Sequence, residues 1–189
     1  MKNIAIFISG RGSNMKAIID ESKNGILRGL CRIKLVFSNK LAAPGIDIAK
    51  KYSVPTLVLS SKKRERTEFD KELYEKLKKY NLDYIILAGY MRIISPYLID
   101  KFPNRIINIH PADTNKHRGL HGYKWAFDNR LSSTKITVHY VDEGLDTGKI
   151  IAQKEVDISG CNTLSEVEKK GLAVEHKFYS RCLKRIFTE

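Results

Sequence analysis

The sequence has little cysteine: three residues among 189, and they lie far apart. Cys31, Cys161 and Cys182 form neither a CxxC pair nor a Cys/His group with the spacing of metal ligands. An odd number of widely spaced cysteines argues against a disulfide framework and against a zinc site. We therefore expect reduced, structural thiols, no metal and a cytoplasmic location.

The sequence also lacks a signal peptide and any apolar run of membrane-spanning length. Its hydrophobic content of 42% and charged content of 29% are usual for a globular protein without a membrane partner. A chain of 189 residues has room for one domain with a sizeable core and too little for two of ordinary size. We expect one domain over residues 1–189.

Acidic residues are scarce relative to basic ones: 21 against 34, which gives a net charge of +13. Such a charge can attract nucleic acid, a membrane surface or anionic small molecules. The lysines and arginines are scattered over helical faces, and no dense basic arm with interleaved aromatic residues is present. This distribution favours a solvated surface that attracts anionic substrates over a nucleic-acid site.

Short apolar runs alternate with segments of helical periodicity over the first 110 residues. The runs lie near residues 3–8, 32–37, 56–59, 84–88 and 106–110, and the helical segments near 15–24, 44–52, 67–80 and 96–101. Short continuous apolar runs are typical of strands buried on both faces. The alternation predicts an α/β fold with a doubly wound, mostly parallel sheet.

The pattern changes after residue 120. A short helix is expected near 123–129, followed by a hairpin whose strands, 137–141 and 150–153, flank an acidic loop at 142–148. Thr163 and Glu166 have the spacing of a capping box, and an apolar stripe follows them. We therefore expect a late antiparallel hairpin and a C-terminal helix.

The strand at 106–110 carries the first candidate site residues. Asn108 and His110 are two positions apart, so their side chains project from the same face of the strand. Pro111 cannot donate to a sheet ladder and should end the strand there. This places an amide and an imidazole at the carboxyl edge of the sheet, where open α/β sheets bind their ligands.

Imidazole is the side chain best suited to carry a proton near neutral pH. The acidic loop offers a carboxylate, and Asp146 sits in a turn that could aim it inward, whereas Asp142 and Glu143 are expected in solvent. A neighbouring carboxylate should raise the pKa of His110. Asn108, His110 and Asp146 could then polarise a carbonyl group and stabilise the oxyanion that forms when an amine attacks it.

No serine or cysteine lies beside this group as an evident nucleophile. Direct attack by the second substrate is therefore the simpler hypothesis. The other four histidines, at positions 117, 121, 139 and 176, are predicted to have structural or surface roles, because no motif pairs them into a site.

A glycine-rich turn, Gly10-Arg11-Gly12-Ser13-Asn14, follows the first strand and precedes the first helix. It is neither the GxGxxG fingerprint nor a Walker A motif. Glycines let the backbone approach a ligand, and the helix start directs free N–H groups toward it, which suits a phosphate. A tight turn with Ser13 as the helix cap is the alternative interpretation.

Taken together, these motifs resemble the phosphoribosylglycinamide formyltransferase family. The resemblance runs in order through nearly the whole chain: ISGRGSN at 8–14, VFSNK at 36–40, LAGYMRI at 87–93, INIHP at 107–111, GLH at 119–121 and VHYVDEGLDTG at 138–148. It implies a Rossmann-like formyltransferase fold, with a phosphate-binding half over about 1–100 and a catalytic and folate-binding half over about 101–189. It also implies transfer of a formyl group from 10-formyltetrahydrofolate, a cosubstrate, to the amine of glycinamide ribonucleotide in purine biosynthesis.

The resemblance also implies roles for individual residues. The catalytic residues would be Asn108, His110 and Asp146, with His110 carrying the proton. The substrate phosphate would lie on Gly12, Ser13 and Asn14, and Glu175 would contact the ribose or glycinamide part. The folate would contact Arg66, Met91, Arg92, Ile93, Ile94, Asn108, Asp142, Glu143, Gly144, Leu145 and Asp146.

The chain departs from the family pattern at three places. Residues 112–115 read Ala-Asp-Thr-Asn where the family commonly has Ser-Leu-Leu-Pro. Lys149 replaces a common proline, and Lys135-Ile136 replaces a common Gly-Thr pair. The catalytic group is unchanged, so the chemistry is expected to persist, and the loop shape and substrate affinity are the properties that these departures affect.

Two classes of alternative are left open. The first is a formyltransferase of the same fold with another amine acceptor, such as an amino sugar or methionyl-tRNA, or a hydrolase that releases formate. The second is a nucleotide-binding or RNA-binding relative without catalysis. The expected partners are small-molecule substrates, with no nucleic acid and no membrane, and the expected assembly is a monomer or homodimer.

Overall fold

A computed structural model describes all residues from 1 to 189 and shows a seven-stranded sheet covered by helices on both faces. The strands are β1 Lys2–Ile8, β2 Cys31–Ser38, β3 Thr56–Val58, β4 Tyr84–Leu87, β5 Ile106–His110, β6 Ser133–Tyr140 and β7 Ile150–Asp157. The helices are α1 Ser13–Asn24, α2 Gly45–Lys51, α3 Arg66–Leu77, α4 Pro96–Lys101, α5 Gly122–Asp128 and α6 Leu164–Thr188, and a 3-10 turn, Lys78–Tyr80, follows α3.

The strand order is β3-β2-β1-β4-β5-β6-β7. Strands β1 to β5 are parallel to one another. Strand β6 pairs antiparallel with β5 and with β7. This confirms the predicted mostly parallel, doubly wound sheet with a late antiparallel hairpin. The chain leaves β1 toward β2 on one side and later returns to β4 on the other, so the sheet reverses its winding direction between β1 and β4. In open α/β sheets such a reversal opens a crevice for ligands at the carboxyl edge.

The hairpin strands are longer than the sequence pattern indicated. β6 begins at Ser133 and β7 continues to Asp157, with Ser133 and Asp157 paired at the far end. Most residues of β7 are partly or fully exposed, so the strand has no continuous apolar run that would mark its length. Backbone pairing with β6, which a single-strand pattern does not reveal, extends it.

Each face of the sheet has its own apolar layer. The larger layer lies under α1, α2, α5 and α6, and the smaller under α3 and α4. α6 begins at the predicted capping box, in which Thr163 accepts from the Glu166 backbone N–H and Glu166 accepts from the Thr163 backbone N–H. None of the helices combines the length and apolar character that crossing a membrane requires.

Tyr179 anchors α6 to the centre of the sheet. Its side chain is fully buried, and its hydroxyl lies 3.0 Å from the carbonyl oxygens of both Leu87 and Ile107. These carbonyls belong to β4 and β5 near their carboxyl ends, so the hydroxyl ties the long helix to the two strands that lead into the crevice.

We expect Tyr179→Phe to lower the free energy of unfolding by about 1–2 kcal/mol, because the hydroxyl is the side-chain donor that reaches these two buried carbonyls. Urea denaturation followed by circular dichroism measures the change. Tyr97→Phe is the matched control, since the Tyr97 side chain is only half-buried. Equal effects of the two substitutions would contradict the anchoring role.

Candidate active site

The glycine-rich turn forms the end of the crevice next to β1. Gly12 is the residue before α1 and has a φ of 75°, a left-handed conformation that favours glycine. Ser13 is therefore the first residue of the helix, and no side chain caps it, so the alternative prediction of Ser13 as the cap is wrong. The first N–H groups of α1 are left to point into the crevice, as an anion site requires.

A chain of side-chain hydrogen bonds joins the ends of β1, β2 and β4. The Ser9 hydroxyl donates to Asn39 Oδ1 at 2.6 Å and accepts from the Met91 backbone N–H at 2.7 Å. Asn39 Nδ2 donates in turn to the Ser61 hydroxyl at 3.0 Å. Three of the sequence motifs, at 8–14, 36–40 and 87–93, thus meet through Ser9, which fixes the floor of the crevice.

The three predicted catalytic side chains converge on one carboxylate. Asn108 Nδ2 donates to Asp146 Oδ1 at 3.2 Å, and His110 Nδ1 lies 3.3 Å from Asp146 Oδ2. The side chains of His110 and Asp146 are only 5% and 9% exposed. The geometry that the strand spacing predicted for Asn108 and His110 is present, and the loop after β6 brings Asp146 to them.

His110 has an oxygen at each ring nitrogen: Asp146 Oδ2 at Nδ1, and the backbone carbonyl of His117 at Nε2, 3.1 Å away. A protonated ring donates to both oxygens, whereas a neutral ring donates to only one. Burial nevertheless lowers the pKa of His110 below its usual range, and Asp146 and the His117 carbonyl offset this only in part. Asp146 raises the pKa of His110, as predicted, but desolvation outweighs the carboxylate and the net shift of the pKa is downward.

Asp146 is held in a left-handed conformation, φ 52°, that turns its side chain inward. Its Oδ2 also accepts the Gly119 backbone N–H at 2.8 Å. Burial alone would raise the pKa of Asp146, but the neighbouring His139 and His110 rings and the Gly119 N–H together lower it. Asp146 is therefore an ionised carboxylate, while Asp142 and Glu143 are exposed, as expected.

His139 belongs to this group, although the sequence analysis assigned it a structural role. Its Nδ1 donates to the Tyr140 carbonyl at 2.8 Å. In the neutral ring Nε2 is then an acceptor, and the Asn108 amide lies 3.2 Å from it. His139 is the direct antiparallel partner of Asn108 in the sheet. The pairing register of β5 with β6 is therefore the signal that could have identified His139 as a site residue.

His117 also contributes to the site, which the prediction of a surface role missed. Besides its carbonyl contact with His110, its ring stacks on Trp125, with the ring centres 5.0 Å apart. His121 precedes α5, as expected, but gives no side-chain cap and lines the crevice.

The crevice is a cavity of about 740 Å³ between the glycine-rich turn, β5 and the loop after β6. Most of the predicted substrate residues line it, but Arg66 and Glu143 do not. The guanidinium of Arg92 donates to the Arg64 and Glu65 carbonyls at 3.1 and 3.3 Å. The guanidinium of Arg92 therefore binds the loop before α3, and Arg92 also lines the cavity.

Glu175 is buried where α6 meets α1 and α5. Asn14 Nδ2 donates to its Oε2 at 2.5 Å, and the Tyr123 hydroxyl donates to its Oε1. Asn14 Oδ1 is buried without a partner. Asn14 therefore presents an acceptor oxygen, which suits a hydroxyl or N–H donor.

The chain matches known proteins over almost its full length. The sequence model described as "Formyl transferase" matches residues 2–183. The phosphoribosylglycinamide formyltransferase of Bacillus subtilis is 36% identical over 98% of this chain and 95% of its own length. The trifunctional purine biosynthetic protein adenosine-3 of Chironomus tentans is also 36% identical, but this chain spans only 14% of its length.

A solved structure agrees with these matches. The phosphoribosylglycinamide formyltransferase from Bacillus halodurans superposes with a TM-score of 0.93 and 38% identity, over 100% of this chain and 96% of that one. Both the backbone arrangement and the sequence are therefore similar to this group of proteins.

We expect Asp146→Asn to lower the pKa of His110 further, because the substitution removes the negative charge that opposes the effect of burial. NMR titration of the histidine ring signals measures this shift. Asp142→Asn, in the exposed part of the same loop, should leave the His110 titration unchanged. An unchanged His110 pKa in Asp146→Asn would show that the two side chains do not interact as the structure indicates.

Proposed function

The chain belongs to the formyl transferase family, and we propose that it transfers a formyl group from 10-formyltetrahydrofolate to the amine of 5'-phosphoribosylglycinamide in purine biosynthesis. The observation that carries this proposal is the convergence of Asn108, His110 and Asp146 at the wall of a cavity that also contains the phosphate-type turn. An amine acceptor with a phosphate at its other end fits that combination.

The two ends of the cavity suit the two substrates. The start of α1, at Gly12 and Ser13, offers unpaired backbone N–H groups to the phosphate of the acceptor. The buried Glu175 carboxylate can accept from ribose hydroxyls, and the Asn14 oxygen can take a further donor. The folate would lie between the segment at 91–94 and the loop at 142–146, where exposed Met91 and Leu145 offer apolar surface.

The proposed chemistry needs no covalent enzyme intermediate. The amine nitrogen attacks the formyl carbon, and the carbonyl electron pair moves onto oxygen. Collapse of this tetrahedral intermediate breaks the bond between the formyl carbon and N10 of the folate. One proton leaves the amine and one reaches N10, so the products are the formamide and tetrahydrofolate.

His110 and Asn108 would stabilise the oxyanion of this intermediate. A protonated His110 would donate from Nε2 to the oxyanion in place of the His117 carbonyl, while Asp146 stays at Nδ1 and offsets the charge of the ring. The Asn108 amide nitrogen lies 3.2 Å from both Asp146 Oδ1 and His139 Nε2. An oxyanion is a stronger acceptor than a neutral imidazole and can replace His139 as a partner of Asn108.

The structure offers no observation that favours another acceptor, and the departures at Asp113, Lys135 and Lys149 lie outside the catalytic group. No group of three or more histidine, cysteine or acidic side chains is arranged around a metal position. The cytoplasmic location, the division into two functional halves and the monomer or homodimer remain predictions.

An assay of the purified protein with 10-formyltetrahydrofolate and a panel of amines tests the acceptor, with release of tetrahydrofolate as the signal. Turnover is expected with 5'-phosphoribosylglycinamide. Turnover only with an amino sugar or methionyl-tRNA would replace the acceptor and keep the family. Formate release without an acceptor would indicate a hydrolase. No turnover with any of the amines, and no formate release, would support a non-catalytic relative.

We expect His110→Ala or Asp146→Asn to lower kcat at least about 100-fold, as loss of one oxyanion-stabilising group does in other enzymes. Circular dichroism should show an intact fold for both variants. Asp128→Asn, an exposed residue of α5 away from the cavity, is the control and should keep wild-type turnover. A folded His110→Ala variant with near wild-type kcat would contradict the assignment.

We expect Tyr123→Phe to raise the KM for the amine substrate about tenfold with little change in kcat. The substitution removes one of two hydrogen bonds that hold the Glu175 carboxylate, a loss of about 1.5 kcal/mol. Steady-state kinetics with each substrate varied separately measures it. Tyr80→Phe, on the 3-10 turn after α3, is the control, and an unchanged KM in Tyr123→Phe would remove Glu175 from the binding site.

A further inference from the structure

Two departures from the family pattern, at Asp113 and Lys135, form one structural feature. Asp113 follows β5, and Lys135 lies in β6, 22 positions along the chain. In the structure Lys135 Nζ lies 2.9 Å from Asp113 Oδ2. The Asp113 side chain is 8% exposed, whereas that of Lys135 is 42% exposed, so the pair links a buried carboxylate to an ammonium group that water still reaches.

The second oxygen of the Asp113 carboxylate also accepts hydrogen bonds. Its Oδ1 accepts the Asn115 backbone N–H and the Gln153 side-chain amide, both at 3.1 Å. Burial alone would raise the pKa of Asp113, but Lys135 and these hydrogen bonds lower it, so the group is ionised. A buried carboxylate with this many partners is rigidly placed, and it ties the segment after β5 to both strands of the hairpin.

The backbone of the same residue shapes the following turn. The Asp113 carbonyl accepts the N–H groups of Lys116 and His117, at 2.8 and 2.9 Å. The segment 113–119 therefore begins at an anchored residue, and its first turn closes at His117.

That turn makes two contacts with the catalytic group. The His117 carbonyl lies 3.1 Å from His110 Nε2, and two residues later the Gly119 N–H donates to Asp146 at 2.8 Å. Both contacts come from backbone atoms, so their positions depend on the conformation of the turn and not on the identity of the side chains.

We propose that Asp113 and Lys135 are positioning residues for the formyl transfer proposed above: their ion pair holds the turn at 113–119 so that its backbone orients the His110 ring and the Asp146 carboxylate. Neither residue lines the cavity. The role is specific to chains that carry both charges, since Lys135 compensates a carboxylate that would otherwise be buried without a counterion.

Lys135→Met and Asp113→Asn differ in whether an unpaired charge remains buried. Lys135→Met leaves the Asp113 charge buried without its partner, which is unfavourable. Asp113→Asn keeps an oxygen for Asn115 and Gln153 and frees Lys135 to face solvent. Adding Asp113→Asn to Lys135→Met removes the stranded charge, so the double variant should be less impaired than Lys135→Met alone.

The experiment measures kcat, both KM values and the NMR titration of His110 in wild type, Asp113→Asn, Lys135→Met and the double variant. We expect kcat to fall about tenfold in Asp113→Asn and more in Lys135→Met, because small misplacements of reacting groups are costly. Both KM values should change less than about threefold, since the binding residues lie elsewhere. The pKa of His110 should fall in both single variants, because the turn no longer holds the His117 carbonyl at Nε2.

The matched control is the exposed ion pair Glu75–Lys78 at the end of α3. Glu75→Gln and Lys78→Met should change neither the kinetics nor the His110 titration. Folded Asp113→Asn and Lys135→Met variants with wild-type kcat and an unchanged His110 titration would overturn the proposal. If either variant does not fold, the other and the double variant carry the same test.

Failure of the proposed function is distinguishable from failure of the positioning role. A wild-type protein without turnover would defeat the formyl transfer, while the His110 titration would still report whether the ion pair holds the turn. An active wild type whose variants lose only stability, with an unchanged kcat in the folded fraction and an unchanged His110 titration, would defeat the positioning role alone.

Discussion

The site depends on one buried carboxylate. Each oxygen of Asp146 faces two groups: Oδ1 faces Asn108 and His139, and Oδ2 faces His110 and the Gly119 N–H. These partners come from β5, the turn that follows it and β6, so the carboxylate joins its own loop to each of these segments. A buried charge is tolerated only when such partners surround it, and the same requirement fixes where they lie.

The sheet topology explains why these segments meet. The winding of the sheet reverses between β1 and β4, which opens the crevice at their carboxyl ends. The glycine-rich turn enters from β1, and β5 contributes Asn108 and His110 from the other side. The antiparallel β6 returns along β5 and ends beside Ile107, and the loop that follows it folds back over β5 so that Asp146 reaches Asn108 and His110.

Much of this arrangement could be predicted from the sequence, because apolar runs and two-residue alternation report local structure directly. Asn108 and His110 share a strand face whatever the rest of the chain does, and Asp146 lies in a loop of evident turn composition. His139 was missed because its role follows from the antiparallel register with Asn108, which depends on pairing between remote segments. His117 was missed because it acts through its backbone carbonyl. The effect of Asp146 on the pKa of His110 was predicted, but the larger opposing effect of burial was not, because burial is a property of the folded chain.

The central claim is that this group of side chains promotes direct transfer between two bound substrates. Mass spectrometry of the intact protein, mixed with formyl-labelled 10-formyltetrahydrofolate first without and then with 5'-phosphoribosylglycinamide, tests it most directly. The account predicts an unmodified protein mass throughout and movement of the label to the amine only when the amine is present. A protein that gains one formyl group without the amine, and loses it when the amine is added, would contradict direct transfer.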